Sequence, residues 1–195
     1  MLSPLQRKDK KVTTPKYIIS PFSRGYVQVY TGDGKGKTTA ALGLAMRACG
    51  AGLKVYIGQF IKEMVYGEVN ILRERFPEVT VELFGTEEGC IVGRAPNDSD
   101  VAAARKGLQR AREILAGGEY DLVILDEITI PVAMGLLREE DLLELIDIKP
   151  ENVELIMTGR SAPKAVVDRA DLVSEVKEVK HYYNEGVLSR KGIEC

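Results

Sequence analysis

The stretch Tyr30-Thr31-Gly32-Asp33-Gly34-Lys35-Gly36-Lys37-Thr38-Thr39 decides how this chain is read. An alternating apolar run precedes it and a helical pattern follows it, the setting of a phosphate-binding loop. Glycines let successive backbone N–H groups turn toward one anion, because no Cβ restricts their conformation. The following helix aims its positive end at the same point. In such a loop Lys37 reaches the outer phosphates and the Thr38 hydroxyl meets Mg²⁺. Thr31 stands where the pattern G-x-x-x-x-G-K-[ST] has its first glycine, so Gly32 and Gly34 are expected to make the turn. Asp33 suits a tight turn. Lys35 either adds charge beside the phosphates or points to water, and Gly36 and Thr39 complete the candidate cradle. The plain alternative is a glycine-rich strand-to-helix turn carrying a surface lysine.

Outward from the loop, strands and helices alternate. Residues 25–31 form a first strand, and a helix runs from Lys37 to about Gly50, with Leu42, Ala45, Met46 and Cys49 recurring at helical spacing. A strand over 54–60, a helix over 67–75 with an apolar stripe of Val69, Leu72 and Phe76, and a strand over 79–84 follow. Residues 85–99 carry glycine, proline, asparagine and charge without periodicity and read as a loop. Ser99 or Asp100 is expected to cap a helix reaching Ala116, stopped by Gly117 and Gly118. Residues 120–125 are almost continuously apolar, as in a strand buried on both faces. Helical stretches near 130–137 and 139–146, a strand over 153–158, a short helix over 162–169 and a strand over 172–176 complete the pattern. The alternation predicts an α/β fold of three layers, a mainly parallel sheet covered on both faces.

At 195 residues the chain is read as one domain over 25–195, preceded by a basic, partly flexible segment over 1–24 that holds Arg7, Lys8, Lys10, Lys11, Lys16 and Arg24 against Asp9. The net charge of −2 argues against wholesale nucleic-acid binding. No apolar run approaches the roughly 18–20 residues that span a bilayer, and no secretory signal is seen. Cys49, Cys90 and Cys195 form no C-x-x-C and lack histidine neighbours, since His181 is the only histidine. A reduced, cytoplasmic protein without a zinc site is expected. His181, in Val179-Lys180-His181-Tyr182-Tyr183, is read as a packing residue before a base.

Ligands of open parallel sheets bind at the C-terminal ends of strands. The polar groups predicted there are the loop itself, Gln59 and Lys62 after the second strand, Asp126 and Glu127 after Leu122-Val123-Ile124-Leu125, and Thr158-Gly159-Arg160 after Leu155-Ile156-Met157. One carboxylate of the Asp126–Glu127 pair would reach Mg²⁺ directly or through water, since this ion keeps water ligands and takes few carboxylates. Arg160 has the fork geometry to meet a phosphate bidentately. Surface ion pairing is the plain alternative for Arg160, and a solvated acidic loop for the carboxylates.

These segments, in this order, resemble the P-loop type ATP:corrinoid adenosyltransferases. The matching stretches are Thr31-Gly32-Asp33-Gly34-Lys35-Gly36-Lys37-Thr38-Thr39-Ala40-Ala41, Gln59-Phe60-Ile61-Lys62, Leu125-Asp126-Glu127, Thr158-Gly159-Arg160, Val179-Lys180-His181 and Gly192-Ile193-Glu194. The resemblance implies a RecA-like P-loop fold and a homodimer. It also implies transfer of the 5′-deoxyadenosyl group of ATP to the reduced cobalt of a corrinoid such as cobalamin, with triphosphate leaving. The cofactor implied is Mg, or Mn in its place, and a flavoprotein is the implied reductant. Catalytic roles fall on Lys37, Thr38 and Glu127. Nucleotide binding falls on Gly32, Asp33, Gly34, Lys35, Gly36, Lys37, Thr38, Thr39, Gln59, Lys62 and Arg160, and metal binding on Thr38, Asp126 and Glu127. Relatives of this type carry a Phe-Thr-Trp segment against the lower face of the corrinoid. This chain has no tryptophan, and Cys90, Ile91 and Val92 stand in that region. By position, the basic N-terminal segment resembles one that covers a partner subunit's site.

Two other functions fit a phosphate loop with an acidic strand end. One is a P-loop ATPase or small-molecule kinase with a different acceptor; the other is a nucleotide-binding regulator that carries corrinoid without turnover. Inorganic triphosphate as product distinguishes the adenosyltransferase from both.

Overall fold

The computed structural model describes residues 22–62, 66–86 and 94–194. Six strands, β1 (Val27–Thr31), β2 (Val55–Phe60), β3 (Val79–Phe84), β4 (Leu122–Asp126), β5 (Glu154–Thr158) and β6 (Leu172–Glu175), form one sheet in the order β3-β2-β4-β5-β1-β6. Every pairing is parallel. The expected mainly parallel sheet is therefore parallel throughout these six strands.

Alternation along the buried strands divides the core in two. In β4, Leu122 and Ile124 join Ala41, Ala45 and Ala48 of helix α1 (Lys37–Gly50) and Val69 and Leu72 of α2 (Gly67–Arg75) on one face. Val123 and Leu125 point the other way, toward Leu108, Ala111 and Leu115 of α3 (Asp98–Gly117), Leu142 and Leu145 of α5 (Glu139–Ile148) and Val166 of α6 (Lys164–Arg169). The short helix α4 (Thr129–Ala133) follows β4 directly. This three-layer α/β arrangement is that of a RecA-like P-loop fold.

Three local expectations shift. The cap of α3 is Asn97, not Ser99 or Asp100: its side chain accepts from the Ser99 and Asp100 N–H groups, and the Asp100 carboxylate accepts in return from the Asn97 N–H. Helix α3 then continues through Gly117 and ends at Gly118, which takes the left-handed conformation at φ 64°. On α1 the face turned to the sheet is Ala41, Ala45 and Ala48, while Met46 is 58% exposed. Residues 87–93 of the expected loop, Cys90, Ile91 and Val92 among them, and nearly all of the N-terminal segment lie outside the described residues.

Candidate active site

Of the two glycines expected to make the turn between β1 and α1, Gly32 takes a positive φ and Gly34 does not; the second positive φ of the loop is at Gly36. Gly32 has φ +96° and Gly36 φ +126°. A Cβ on Gly32 would lie 2.5 Å from the Val176 carbonyl oxygen, and one on Gly34 would lie 2.7 Å from the Lys177 backbone. The Gly34 N–H donates to that same Val176 oxygen at 2.8 Å. Gly32 is thus required by conformation, and both glycines by the close passage of the segment after β6. Thr31, in the place of the pattern's first glycine, ties the loop to the far side of β5, because its hydroxyl accepts from the Ala162 N–H at 3.2 Å.

Lys37 is buried, and its ammonium donates to the Gly32 and Gly34 carbonyls at 2.6 and 2.9 Å. Burial holds its pKa below the usual lysine value, with Glu127, Asp33 and Asp126 opposing that shift and Arg160 adding to it. The Lys35 ammonium does not point to bulk water alone: it donates to the Ile193 carbonyl at 3.3 Å.

Asp126 organises the strand ends. Its Oδ1 accepts from Thr38 Oγ1 at 2.9 Å and from Thr158 Oγ1 at 2.7 Å. Its Oδ2 accepts from Lys62 Nζ at 2.8 Å and Gln59 Nε2 at 3.2 Å. Residues of β2, β4, β5 and α1 thus converge on one carboxylate whose four lone-pair positions are all used. Burial alone would lower the Lys62 pKa, but Asp126, with Glu127 and Glu68, outweighs it, and the ammonium is held above its usual value. Glu127 adopts φ 61° with its N–H bound to Thr158 Oγ1 at 2.9 Å. Burial and then Asp126 raise its pKa, against Lys62, Lys37 and Arg160.

Arg160 follows β5. Its carbonyl accepts from Thr129 Oγ1 at 2.8 Å, and its exposed side chain borders a cavity over the strand ends. Gly159, at φ +138°, sits so close to Thr129 that a Cβ would fall 2.2 Å from Thr129 Oγ1. The three non-glycine residues of positive φ among those described are Ile61, Glu127 and Ser161. Each lies just beyond a strand of this same edge, where left-handed backbone is held by its surroundings.

The cavity, of about 740 Å³, opens over these groups. The loop 33–39 with Lys62, Glu127 and Arg160 forms one side, and Leu42 and Met46 of α1 with Tyr66 form another. His181, Gly192, Ile193 and Glu194 close a third. The structure therefore brings Asp33 through Thr39, Lys62, Glu127 and Arg160 to a common space, with Asp126 and Gln59 buried beneath it. Sequence reasoning missed Thr158 as the link from Asp126 to Glu127, Thr129 as the support of Arg160, and the cavity-facing position of Met46. It read His181 as packing; the ring does lie against Tyr182 at a tilt, 4.9 Å between centroids, and it also lines the cavity. For Thr158 the signal was its place as the polar last residue of a buried strand; Thr129 and Met46 gave none, because both depend on tertiary neighbours.

The donors around Thr38 suit a hard divalent cation. They are all oxygens, and the buried Gln59 Oε1 has no hydrogen-bond donor among the described residues, so it can accept from a metal-bound water. Asp126 already accepts four bonds, so meeting such an ion directly or through water would require one of those donors to yield. Among the described residues no three His, Cys, Asp or Glu side chains cluster as a metal site, so protein ligands alone would not encage such an ion.

The parallel three-layer sheet, with this loop at the end of β1 and the Asp126 cluster beside it, defines an α/β protein built to receive a nucleotide at its strand ends. The family model for ATP:corrinoid adenosyltransferase BtuR/CobO/CobP matches residues 23–195. The chain is 37% identical over 190 residues to the corrinoid adenosyltransferase of Escherichia coli K12, covering 97% of this chain and 95% of that one. It is 36% identical over 191 residues to the corrinoid adenosyltransferase CobA of Salmonella typhimurium, with 97% and 95% covered, and 34% identical to the corrinoid adenosyltransferase of Pseudomonas aeruginosa, with 97% and 93% covered. The chain belongs to the ATP:corrinoid adenosyltransferase family. No described helix is long and apolar enough to cross a membrane.

Proposed function

We propose that this protein transfers the 5′-deoxyadenosyl group of ATP to the reduced cobalt of a corrinoid and releases inorganic triphosphate. The observation that carries the reading is the single cluster joining Lys37, Thr38, Lys62, Asp126, Glu127 and Arg160 at the strand ends, in a chain of this family. The reduced cobalt of the corrinoid substrate supplies the electron pair for the new cobalt–carbon bond. The bond from C5′ to its phosphate oxygen breaks, and triphosphate leaves with that pair. The protein need provide no nucleophile and remove no proton. It has only to hold ATP with C5′ accessible and to stabilise charge on the leaving group.

Lys37, Lys35, Arg160 and the loop amides after Gly32 are the groups for the triphosphate, and Lys62 adds charge above Asp126. Thr38, with Asp126 and Glu127 behind it, would hold Mg, or Mn in its place, which when bound neutralises charge on the phosphate oxygens. Gln59 keeps Asp126 oriented. A homodimer, a cytoplasmic setting and delivery of the electron to the corrinoid by a flavoprotein complete the proposal; lower-face contacts from Cys90, Ile91 and Val92 belong to it as well.

The test is formation of adenosylcobalamin from Mg-ATP and chemically reduced cobalamin, followed by absorbance, with triphosphate assayed as co-product. Orthophosphate release in its place would turn the reading toward an ATPase. In Lys37→Ala the transfer rate is expected to fall by about 10²–10³ with a folded protein, as when one strong electrostatic stabiliser is removed; full activity in that variant would remove the loop from the mechanism.

A further inference from the structure

The third wall of the cavity comes from the segment after β6, and its one titratable ring is His181. The Tyr183 N–H donates to His181 Nδ1 at 3.0 Å. A ring nitrogen that accepts a hydrogen bond does not also carry the proton, so the ring's proton sits on Nε2. This residue caps the 3-10 turn Tyr182–Glu185 through that bond, which fixes the ring's orientation while it lines the cavity. An N–H donor on a residue that lines the same cavity as the phosphate loop suits an oxygen-rich ligand.

Glu194 holds this wall together. Its carboxylate accepts from the Tyr182 hydroxyl and from Arg190 three times: the backbone N–H at 2.8 Å, Nε at 3.2 Å and Nη2 at 3.0 Å. The Arg190 guanidinium also lies over the Tyr182 ring, 5.0 Å from its centroid. The clasp fastens the turn bearing Ile193 to the residue next to His181. Ile193 in turn accepts from Lys35 of the phosphate loop. One chain of contacts therefore runs from the loop through the terminal turn to the histidine.

We propose that His181 contacts the bound nucleotide through its Nε2–H and that Glu194 is a positioning residue, acting through Tyr182 and Arg190 to hold that donor against the phosphate loop. The proposal rests on the nucleotide site argued above and adds a wall to it.

As the only histidine, His181 gives a single set of ring signals in the full-length protein labelled with ¹⁵N-histidine. The free protein is expected to show the Nε2–H tautomer, and Mg-ATP is expected to shift the ring nitrogens saturably. His181→Ala should weaken Mg-ATP binding, measured by calorimetry, about tenfold, the loss of one hydrogen bond to a charged ligand, whereas His181→Gln, which keeps an N–H donor, should stay within about threefold. Glu194→Ala should weaken ATP binding to a similar extent and shift the His181 signals in the free protein. Glu194→Gln, which retains the acceptor oxygen, should sit between it and the parent. An Nδ1–H tautomer, ring signals unmoved by saturating Mg-ATP, or His181→Ala binding ATP like the parent protein would each overturn the proposal. If the parent binds ATP and the ring does not respond, this inference fails while the transferase reading stands. If the ring responds but no adenosylated corrinoid ever forms, the reverse holds.

Discussion

At the scale of single residues, Glu127 concentrates the tension of the site. Its backbone is left-handed although it carries a Cβ, which costs roughly 1–3 kcal/mol where the surroundings enforce it. Burial, then the neighbouring Asp126, disfavour its ionised form, and three cations only partly offset them. Its folded pKa therefore lies above the unfolded value of about 4.3. The stability linked to this group is fully present below that unfolded value and is lost as pH rises through the folded pKa. Glu127→Gln cannot titrate. Its thermal midpoint is expected to exceed that of the parent at neutral pH, with the gap closing toward pH 4, while adenosyl transfer falls about 10–100-fold as for a lost supporting contact. Equal midpoints at both pH values would mean that burial does not strain this carboxyl. The sequence marked Glu127 through the apolar strand before it. It could not mark the positive φ or the pairing with Thr158, because both arise from the packing of β4 against β5.

At the scale of elements, α1 shows where patterning succeeds and where it slips. Its extent was legible from the loop before it and from Gly50 and Gly52 after it. The face was legible in part. Of the spaced Leu42, Ala45, Met46 and Cys49, Ala45 is fully buried and Leu42 and Cys49 pack against the core, whereas Met46 is exposed and Ala41 and Ala48 complete the contact with the sheet. Alanine scores weakly in a hydrophobic pattern, but small side chains are what let a helix that must present Lys37 and Thr38 sit close to the sheet. This leaves Met46 turned to the cavity. Ala45→Leu should thus cost about 1–3 kcal/mol by overpacking, seen as a lower urea midpoint at unchanged slope. Met46→Gln should stay within about 0.5 kcal/mol. If the two variants were equally destabilised, the face assignment would be wrong. The cap of α3 follows the same logic: Ser99 and Asp100 were plausible by type, and only the turn geometry selects Asn97.

At the scale of the whole molecule, parallel topology does most of the assembly. Strands far apart in sequence end at one edge, so Gln59, Asp126 and Thr158 meet without any local signal joining them. That edge could be inferred from the strand pattern. The wall after β6 could not, since 176–194 has no periodicity and is held by side-chain clasps. Clasps of this kind, there and at the starts of α3 and α5, give the fold a definite acid response. Arg94 hydrogen bonds, aided by the Asn97 N–H and Thr86, hold the Asp100 carboxyl down to about 2. Arg190, with Tyr182, holds Glu194 down to about 2. Asp141 is also lowered: burial pushes it up, but the Arg138 N–H and side chain and Arg112 prevail. Unfolded, such groups titrate near about 3.9–4.3. Each carboxylate therefore contributes stability above its unfolded pKa, and that contribution drains away as pH falls through the folded value. The urea midpoint should be nearly flat down to about pH 5 and fall most steeply between about 4.5 and 2. Asp100→Asn should be less stable than the parent at pH 7 and converge on it toward pH 2. A gap that stays constant across this range would show that the Arg94–Asp100 fork, which joins residues on either side of 95–99, does not stabilise the fold through its charge.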